Sequence, residues 1–478
     1  MHPSDADPHT SPFDQQSQSH GLSRELNLAD LVLMQVLLIL GLTWVGSAGV
    51  QGPTHVLLWL AGIVFFYLPL GAVVIRLSRA IPVEGGTYQW VKTGLSPFAG
   101  YLAAWNASAY TIAVFGAIGP VLVNSAAYVA GPKGAWMFSS SRFGMAVGII
   151  CLLAIFAVNV RGLHFGKWIT GSGSILTLVL AVFLVYLLAR RWTSGIPMAS
   201  TPFSLVVPAW SIATLNVFTK MSIGALAGFD NASVFAGESR RPDRNLPRSV
   251  LLAAPTIAAC YILGTGAMLA YVPPGRIDLA APLPQLMQAG FGNSGLGQIL
   301  ITGSVLVLTI NGLAGAVAMV GLAARFPMVI GWDGLLPDWF SELHPRFRTP
   351  VKALAVVTGA CIAIAIMSSW GTKGQEAVQI GIGAGIASLC IMYALMFSVI
   401  LFGRSPELHS GIGLRLAALS GFVVSVVSLP FQIVPLNNVA DRGPFAIKVG
   451  VVVCAVNGCA SWLYWRATRR AGSKVSGG

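Results

Sequence analysis

The chain has 478 residues, of which 55% are hydrophobic and 9% charged, far below the roughly 25% charged residues of soluble domains. Its net charge of +13 invites a nucleic-acid partner, but the placement of the basic residues along the chain argues against one. These values exclude a water-soluble globular domain and point to a lipid bilayer as the surrounding medium.

Residues 1–27 are polar, rich in Ser, Asp, Gln and His, and are predicted to form a disordered cytoplasmic tail. No basic segment or small-residue cleavage site of signal-peptide type precedes the first apolar run, which is therefore read as a permanent span. Apolar runs long enough to cross a hydrocarbon core of about 30 Å then recur along the chain. They are predicted at 28–50, 55–77, 98–129, 143–160, 168–189, 211–236, 249–271, 295–324, 351–370, 380–402, 414–434 and 445–465. The fold class is all-α integral membrane, with twelve transmembrane helices. With the amino terminus inside, 20 of the 29 Lys and Arg fall on the inner side and eight on the outer, while Lys220 lies within a helix. That asymmetry orients both termini to the cytoplasm of a bacterial-type inner or plasma membrane.

Helix one carries Gly46-Ser47-Ala48-Gly49 late in its run, and helix six carries Gly224-Ala225-Leu226-Ala227-Gly228-Phe229-Asp230. Paired interruptions at corresponding places in two halves mark a transporter's substrate site. The runs divide into 28–190, 211–403 and 414–466, with a cytoplasmic tail over 467–478. Five helices per half make the second half enter from the opposite side, so a 5+5 inverted repeat with broken helices one and six, plus two extra helices, is predicted. A broken helix exposes amides on one side and carbonyls on the other, which suit the carboxylate and ammonium of an amino acid. Gly46, Ser47, Ala48 and Gly49 are read as the carboxylate side, with close helix packing as the competing reading. Gly224, Leu226, Ala227, Gly228 and Phe229 supply the carbonyl side.

Asp230 is the acidic side chain well within a predicted span. Three roles stay open for it: capping the inner half-helix, proton coupling, or contact with a substrate ammonium. Lys220 sits about 15 Å from it along a helix, too far for a direct pair, and either snorkels outward or gates. Helix three offers Trp105, Asn106 and Tyr110, and helix ten Ser388 and Tyr393, to close over a substrate or to pack between helices. Glu84, Glu238, Arg240, Arg241 and Arg244, in cytoplasmic loops, form either an inner ion-pair network that gates or a solvated surface. The six cysteines lie in apolar runs and read as buried hydrophobes. The seven histidines show no metal or haem pattern, so no cofactor and no metal are expected.

The loop after helix two reads Pro82-Val83-Glu84-Gly85-Gly86-Thr87-Tyr88, and helix six ends in Glu238-Ser239-Arg240-Arg241-Pro242-Asp243-Arg244-Asn245-Leu246-Pro247-Arg248. After helix eight come Arg325, Asp333-Gly334-Leu335-Leu336-Pro337 and His344-Pro345-Arg346-Phe347-Arg348-Thr349-Pro350. Over residues 28–466 this series resembles the amino-acid–polyamine–organocation (APC) superfamily. One departure concerns helix one, where the family's Gly-x-Gly-Ile-Phe would fall on Gly46 to Val50, with Ala48 for the second glycine and almost no room for an outer half-helix. Where some members carry a lysine in helix five, this chain has Thr177.

The resemblance implies a secondary transporter, a permease working as symporter or antiporter for an amino acid or related amine and driven by a proton, a cation or exchange. No Gly-x-x-x-x-Gly-Lys-(Ser/Thr) motif for ATP occurs. The alternative is an ion channel or a non-transporting nutrient sensor on the same fold. An enzyme is not expected.

Overall fold

The computed structural model describes residues 24–475 apart from 131–133, 135, 138–139, 210, 279–280, 293–294, 369–373, 405–410 and 436–441. The tail predicted over 1–27 thus lies outside the described residues as far as residue 23. Among the described residues, nine helices are long and apolar enough to cross a membrane: Gly52–Ala80, Pro97–Val123, Arg142–Val160, Trp168–Thr193, Pro242–Tyr271, Leu296–Trp332, Gln379–Phe402, Ile412–Phe431 and Arg442–Arg469. In chain order they are helices two to five, seven, eight and ten to twelve. Helix nine is the shorter Val351–Ser368. Helix twelve continues as far as Val475, so helix covers most of the predicted final tail.

Helices one and six are interrupted. Helix one comprises an inner half, Leu28–Ile39, and a short outer half, Trp44–Gly49. Helix six runs through Ile212–Lys220 into a wider π-turn, Met221–Ala225, and resumes as the tighter Asn231–Glu238. Local chemistry sets the helix starts. Asn27 accepts from the amides of Ala29 and Asp30 at 2.8 and 3.1 Å, and Asp30 accepts in return from the Asn27 amide at 2.9 Å. This capping box uses donors that a helix start leaves unpaired. Ser96 and Ser211 cap helices three and six in the same way, through the amides of Ala99 and Thr214.

The packing follows the predicted duplication. Helix three packs along helix ten, and helix five along helix eight; helix four packs on nine, and two on seven. Exchanging each of helices one to five with its counterpart five places on turns this set of pairs into itself, as an inverted repeat requires. Helix twelve lies outside this set and leans on helices three and ten. Outward-facing apolar side chains such as Ile150, Val182, Ile299 and Val451 remain exposed, forming the surface a bilayer covers.

The loop between helices two and three dives against the inner half of helix six. Gly85 and Gly86 have φ of +88° and +34°, and the Gly85 amide donates to the Val234 carbonyl at 3.3 Å. A Cβ on Gly86 would lie 2.2 Å from Ser233 Oγ and 2.8 Å from the Ser233 carbonyl carbon. Glycine is needed here twice over, for its backbone angle and for the approach of a second backbone. Gly334 shares a positive φ, +71°, but a Cβ there meets nothing within 4 Å. Backbone strain alone costs about 1–3 kcal/mol. Gly86→Ala should therefore lower the melting temperature of the detergent-solubilised protein clearly more than Gly334→Ala. Equal shifts in the two variants would remove the close-approach explanation.

Candidate functional site

The interruption of helix one lies at Leu40-Gly41-Leu42-Thr43, between the two half-helices, and not at Gly46 to Gly49. Gly46, Ser47, Ala48 and Gly49 belong to the outer half-helix, and the glycines serve packing. A Cβ on Gly46 would fall 2.6 Å from Pro282 Cβ, and one on Gly49 2.8 Å from Ile277 Cδ1. The segment between helices seven and eight presses on them, which is the small-residue packing common between membrane helices. The shift also explains the missing outer half-helix: the six residues Trp44–Gly49 supply it, upstream of the Gln51-Gly52-Pro53 turn. The signal present in the sequence was Gly41, a lone glycine two residues before Thr43-Trp44.

The break in helix six falls at Leu226–Asp230, where predicted. Gly228 has φ +125°, and a Cβ there would lie 2.9 Å from Asn231 Nδ2 and 3.1 Å from Ile39 Cγ1. Side chains from other helices satisfy the freed backbone. Tyr261 of helix seven donates its hydroxyl hydrogen to the Ile39 carbonyl at 2.6 Å, with the Ala225 carbonyl 3.0 Å away as a second acceptor. The same oxygen accepts from the Gly41 amide at 3.0 Å. One phenol thus ties the helix-one break to the helix-six break. Trp59 stacks on its ring with centroids 4.5 Å apart. Gln35, buried in helix one, donates from Nε2 to the Phe229 carbonyl at 3.2 Å. Neither Tyr261 nor Gln35 carries a sequence signal beyond being a polar group within an apolar run.

A cavity of about 160 Å³ opens at the helix-six break, with walls from helices one, three, six, eight and ten, helix one contributing Leu37 and Leu38 just before its own break. At about 30 Å³ of liquid per molecule this holds several waters, and hence a solute of amino-acid size. Gly224, Ala227, Gly228 and Tyr110 line it, and Tyr393, Asn231 and Asn311 add polar groups. Other predicted contacts point elsewhere. Leu226 packs towards Gly62 of helix two, and Phe229 lies against Tyr67 with ring centroids 4.6 Å apart. Asn106 is bonded to Asn457 of helix twelve at 2.8 Å, and Trp105 donates to the Val456 carbonyl at 3.0 Å. Both face helix twelve because helix three is flanked by it on the side away from the breaks. Above the cavity Trp44 covers Gly224, whose added Cβ would meet its ring at 2.7 Å.

Asp230 does not cap the inner half-helix: no hydrogen bond runs from that helix start to its side chain. Its carboxylate, 2% exposed, accepts from the Tyr393 hydroxyl at 2.7 Å and from the Thr87 hydroxyl at 3.3 Å. Tyr393 lines the cavity, so the carboxylate stands one side chain behind the cavity wall. Lys220 does not snorkel. It is buried, with its ammonium 2.5 Å from Asn216 Oδ1, 2.9 Å from the Phe431 carbonyl and 2.7 Å from the Val434 carbonyl. Those acceptors close the end of helix eleven, where carbonyls lack intrahelical partners and the dipole favours a cation.

A family profile described as amino acid permease matches residues 26–456. The chain belongs to the amino acid permease family. It is 28% identical over 458 residues to an uncharacterised transporter of Mycobacterium tuberculosis, covering 93% of this chain and 94% of that one. It is 26% identical over 365 residues to PlaP, a low-affinity putrescine importer of Escherichia coli, covering 72% and 75%. Among solved structures, MhsT in complex with L-phenylalanine matches with a TM-score of 0.60 at 16% identity, over 86% of this chain and 99% of that one, which shows a shared fold. The protein is a multi-pass membrane transporter.

On the face of this permease that carries the loop between helices two and three, the sequence motifs meet. Arg325 of helix eight donates from Nη2 to both Glu238 oxygens, at 2.8 and 2.6 Å, and from Nε to Glu238 Oε2 at 3.1 Å. Its Nε is 3.5 Å from Glu84 Oε1, and its guanidinium lies over the Phe235 ring at 4.2 Å. Glu84 Oε2 accepts from the Gly237 amide at 2.8 Å. The predicted inner network exists around Arg325, whereas Arg240, Arg241 and Arg244 stay on the outside of it because they follow the turn that ends helix six. Asp333 pairs with Lys92 at 2.6 Å and accepts from Tyr88. Residues 25 and 26 lie along the end of helix six, both amides donating to the Glu238 carbonyl at 3.0 Å.

Burial and the neighbouring Glu238 carboxylate push Glu84 well above the ordinary carboxylate range, against the smaller opposing pulls of Arg325 and the Gly237 amide. One guanidinium faces two carboxylates, so ionisation of both leaves the cluster one negative charge in excess, and burial raises Glu238 as well. A raised pKa means that the stabilisation from this arrangement is present at low pH and is lost as pH rises through the value in the folded protein. Glu84→Gln should therefore melt close to wild type and flatten the loss of stability at alkaline pH, since the amide keeps the acceptor for Gly237. Glu238→Gln leaves Arg325 buried without its bidentate partner and should cost about 3–5 kcal/mol. Melting curves of both variants between pH 5 and 9 check this, and equal losses would refute the assignment of the proton to Glu84. Tyr261→Phe removes the bond to both breaks and should cost about 1–3 kcal/mol for the orphaned groups. Its melting temperature should fall, and with it the affinity of any ligand held at the helix-six break; an unaltered melt would show that the phenol is not the tie.

Proposed function

We propose that this permease moves an amino acid or related amine by alternating access, holding it in the cavity at the helix-six break. The observation that carries the reading is a cavity at the helix-six break, with Gly224, Ala227 and Gly228 in its wall and Leu37 and Leu38 of helix one, just before the helix-one break, opposite them. Half-helix ends around such a cavity offer carbonyls to an ammonium and amides to a carboxylate. Trp44 over Gly224 forms the outer cover, and the Arg325–Glu238–Glu84 cluster with residues 25 and 26 forms the inner one. Opening in either direction means separating one of these covers while Tyr261 keeps the two breaks together. Both termini are assigned to the cytoplasm of a bacterial-type inner or plasma membrane on the distribution of basic residues.

Asp230 is the group we assign to proton coupling. It is held by two hydroxyls, pairs with no basic side chain among the described residues, and adjoins the cavity through Tyr393. Protonation would be felt at the cavity wall through that phenol. In proteoliposomes, the wild type should show saturable uptake that an excess of internal unlabelled substrate accelerates. Asp230→Asn keeps the shape and an acceptor but carries no charge, so it should lose stimulation by an inward proton gradient at least tenfold while exchange persists. Unchanged pH dependence would remove Asp230 from coupling, and an unsaturable ion current would favour a channel.

A further inference from the structure

Resting on the transport reading above, we propose that the substrate is a zwitterionic α-amino acid with an uncharged, largely apolar side chain, and that Lys220 acts as the charge that excludes diamines and basic amino acids. Among the described residues, the wall of the central cavity contains no acidic and no basic side chain. Leu37, Leu38, Phe115, Ile223, Met319 and Leu389 make its apolar part, and Asn231, Asn311, Tyr110 and Tyr393 its polar part. A zwitterion brings its own compensating charge and meets the backbone dipoles at the breaks. A side-chain ammonium would instead enter an apolar wall unpaired, and stripping water from an unpaired charge is strongly unfavourable.

The carboxylate nearest the cavity is not placed to meet such an ammonium. Asp230 is outside the wall, with one oxygen engaged by Tyr393 and the other by Thr87. Lys220 acts in the same direction. It precedes Gly224 of the cavity wall by four residues in helix six, and its ammonium lies at the end of helix eleven. Its three acceptors, Asn216 and the carbonyls of Phe431 and Val434, lie at 2.5–2.9 Å and match the three N–H donors of a protonated amine. All three acceptors are neutral, and no carboxylate pairs with the ammonium among the described residues. A substrate with a second positive charge is repelled by it and finds no partner in the cavity wall. The relative PlaP imports putrescine, so descent alone would suggest a diamine; the charge distribution around this cavity points the other way.

The test is uptake by the full chain in proteoliposomes, with labelled leucine, phenylalanine, ornithine and putrescine in turn. Leucine or phenylalanine should enter saturably, and a tenfold excess of unlabelled ornithine or putrescine should reduce that uptake less than twofold. In Lys220→Gln, which keeps a donor for the helix-eleven carbonyls, the ratio of ornithine to leucine inhibition should rise at least tenfold. Saturable putrescine or ornithine uptake by the wild type would leave transport standing and overturn this inference alone. An unchanged ratio in a Lys220→Gln protein that still carries leucine would overturn the role of Lys220. Saturable uptake of none of the four, by protein that melts cooperatively, would overturn the transport reading and this inference with it.

Discussion

The architecture turns on the hydroxyl of Tyr261. Interrupting two helices inside a bilayer frees backbone groups that neither lipid nor the helices themselves can satisfy. The phenol meets that demand from outside both helices, donating to the Ile39 carbonyl, standing near the Ala225 carbonyl and accepting from the Gly41 amide. Gln35 performs the same task for Phe229. The two breaks are therefore tied to one another, and the cavity opens on the helix-six side of that tie.

Away from this centre the molecule is closed by two devices of different chemistry. On one side of the helix-six break the packing is apolar, Trp44 on Gly224, with Lys220 at the end of helix eleven nearby. The other device is a dry charge cluster in which one guanidinium serves two carboxylates. Removing one member of such a cluster is costly, yet separating it as a unit into water restores the hydration of every charge.

The charged and glycine-rich motifs are easily mistaken for a substrate site. Glu84, Gly85 and Gly86 dock the loop after helix two onto helix six; Glu238 holds Arg325; Asp333 holds Lys92. All of them brace that one face. The cavity itself is lined by residues that carry no motif, such as Tyr110, Asn311 and Tyr393.

Composition and the spacing of apolar runs determined the class, the order of the helices and the presence of a break in helix six, because each follows from the cost of polar groups in hydrocarbon along a local stretch of chain. Gly228 was legible for the same reason: a glycine pair beside a carboxylate in an apolar run is a local anomaly. The position of the break in helix one was not legible. Gly46 and Gly49 look as capable of breaking a helix as Gly41, and only the arrival of Pro282 and Ile277 on one side and Tyr261 on the other distinguishes them. The roles of Asp230, Lys220 and Asn106 were likewise decided by tertiary structure, since a buried polar side chain takes its function from the partner it finds, and those partners lie on helices ten, eleven and twelve, far away in the chain.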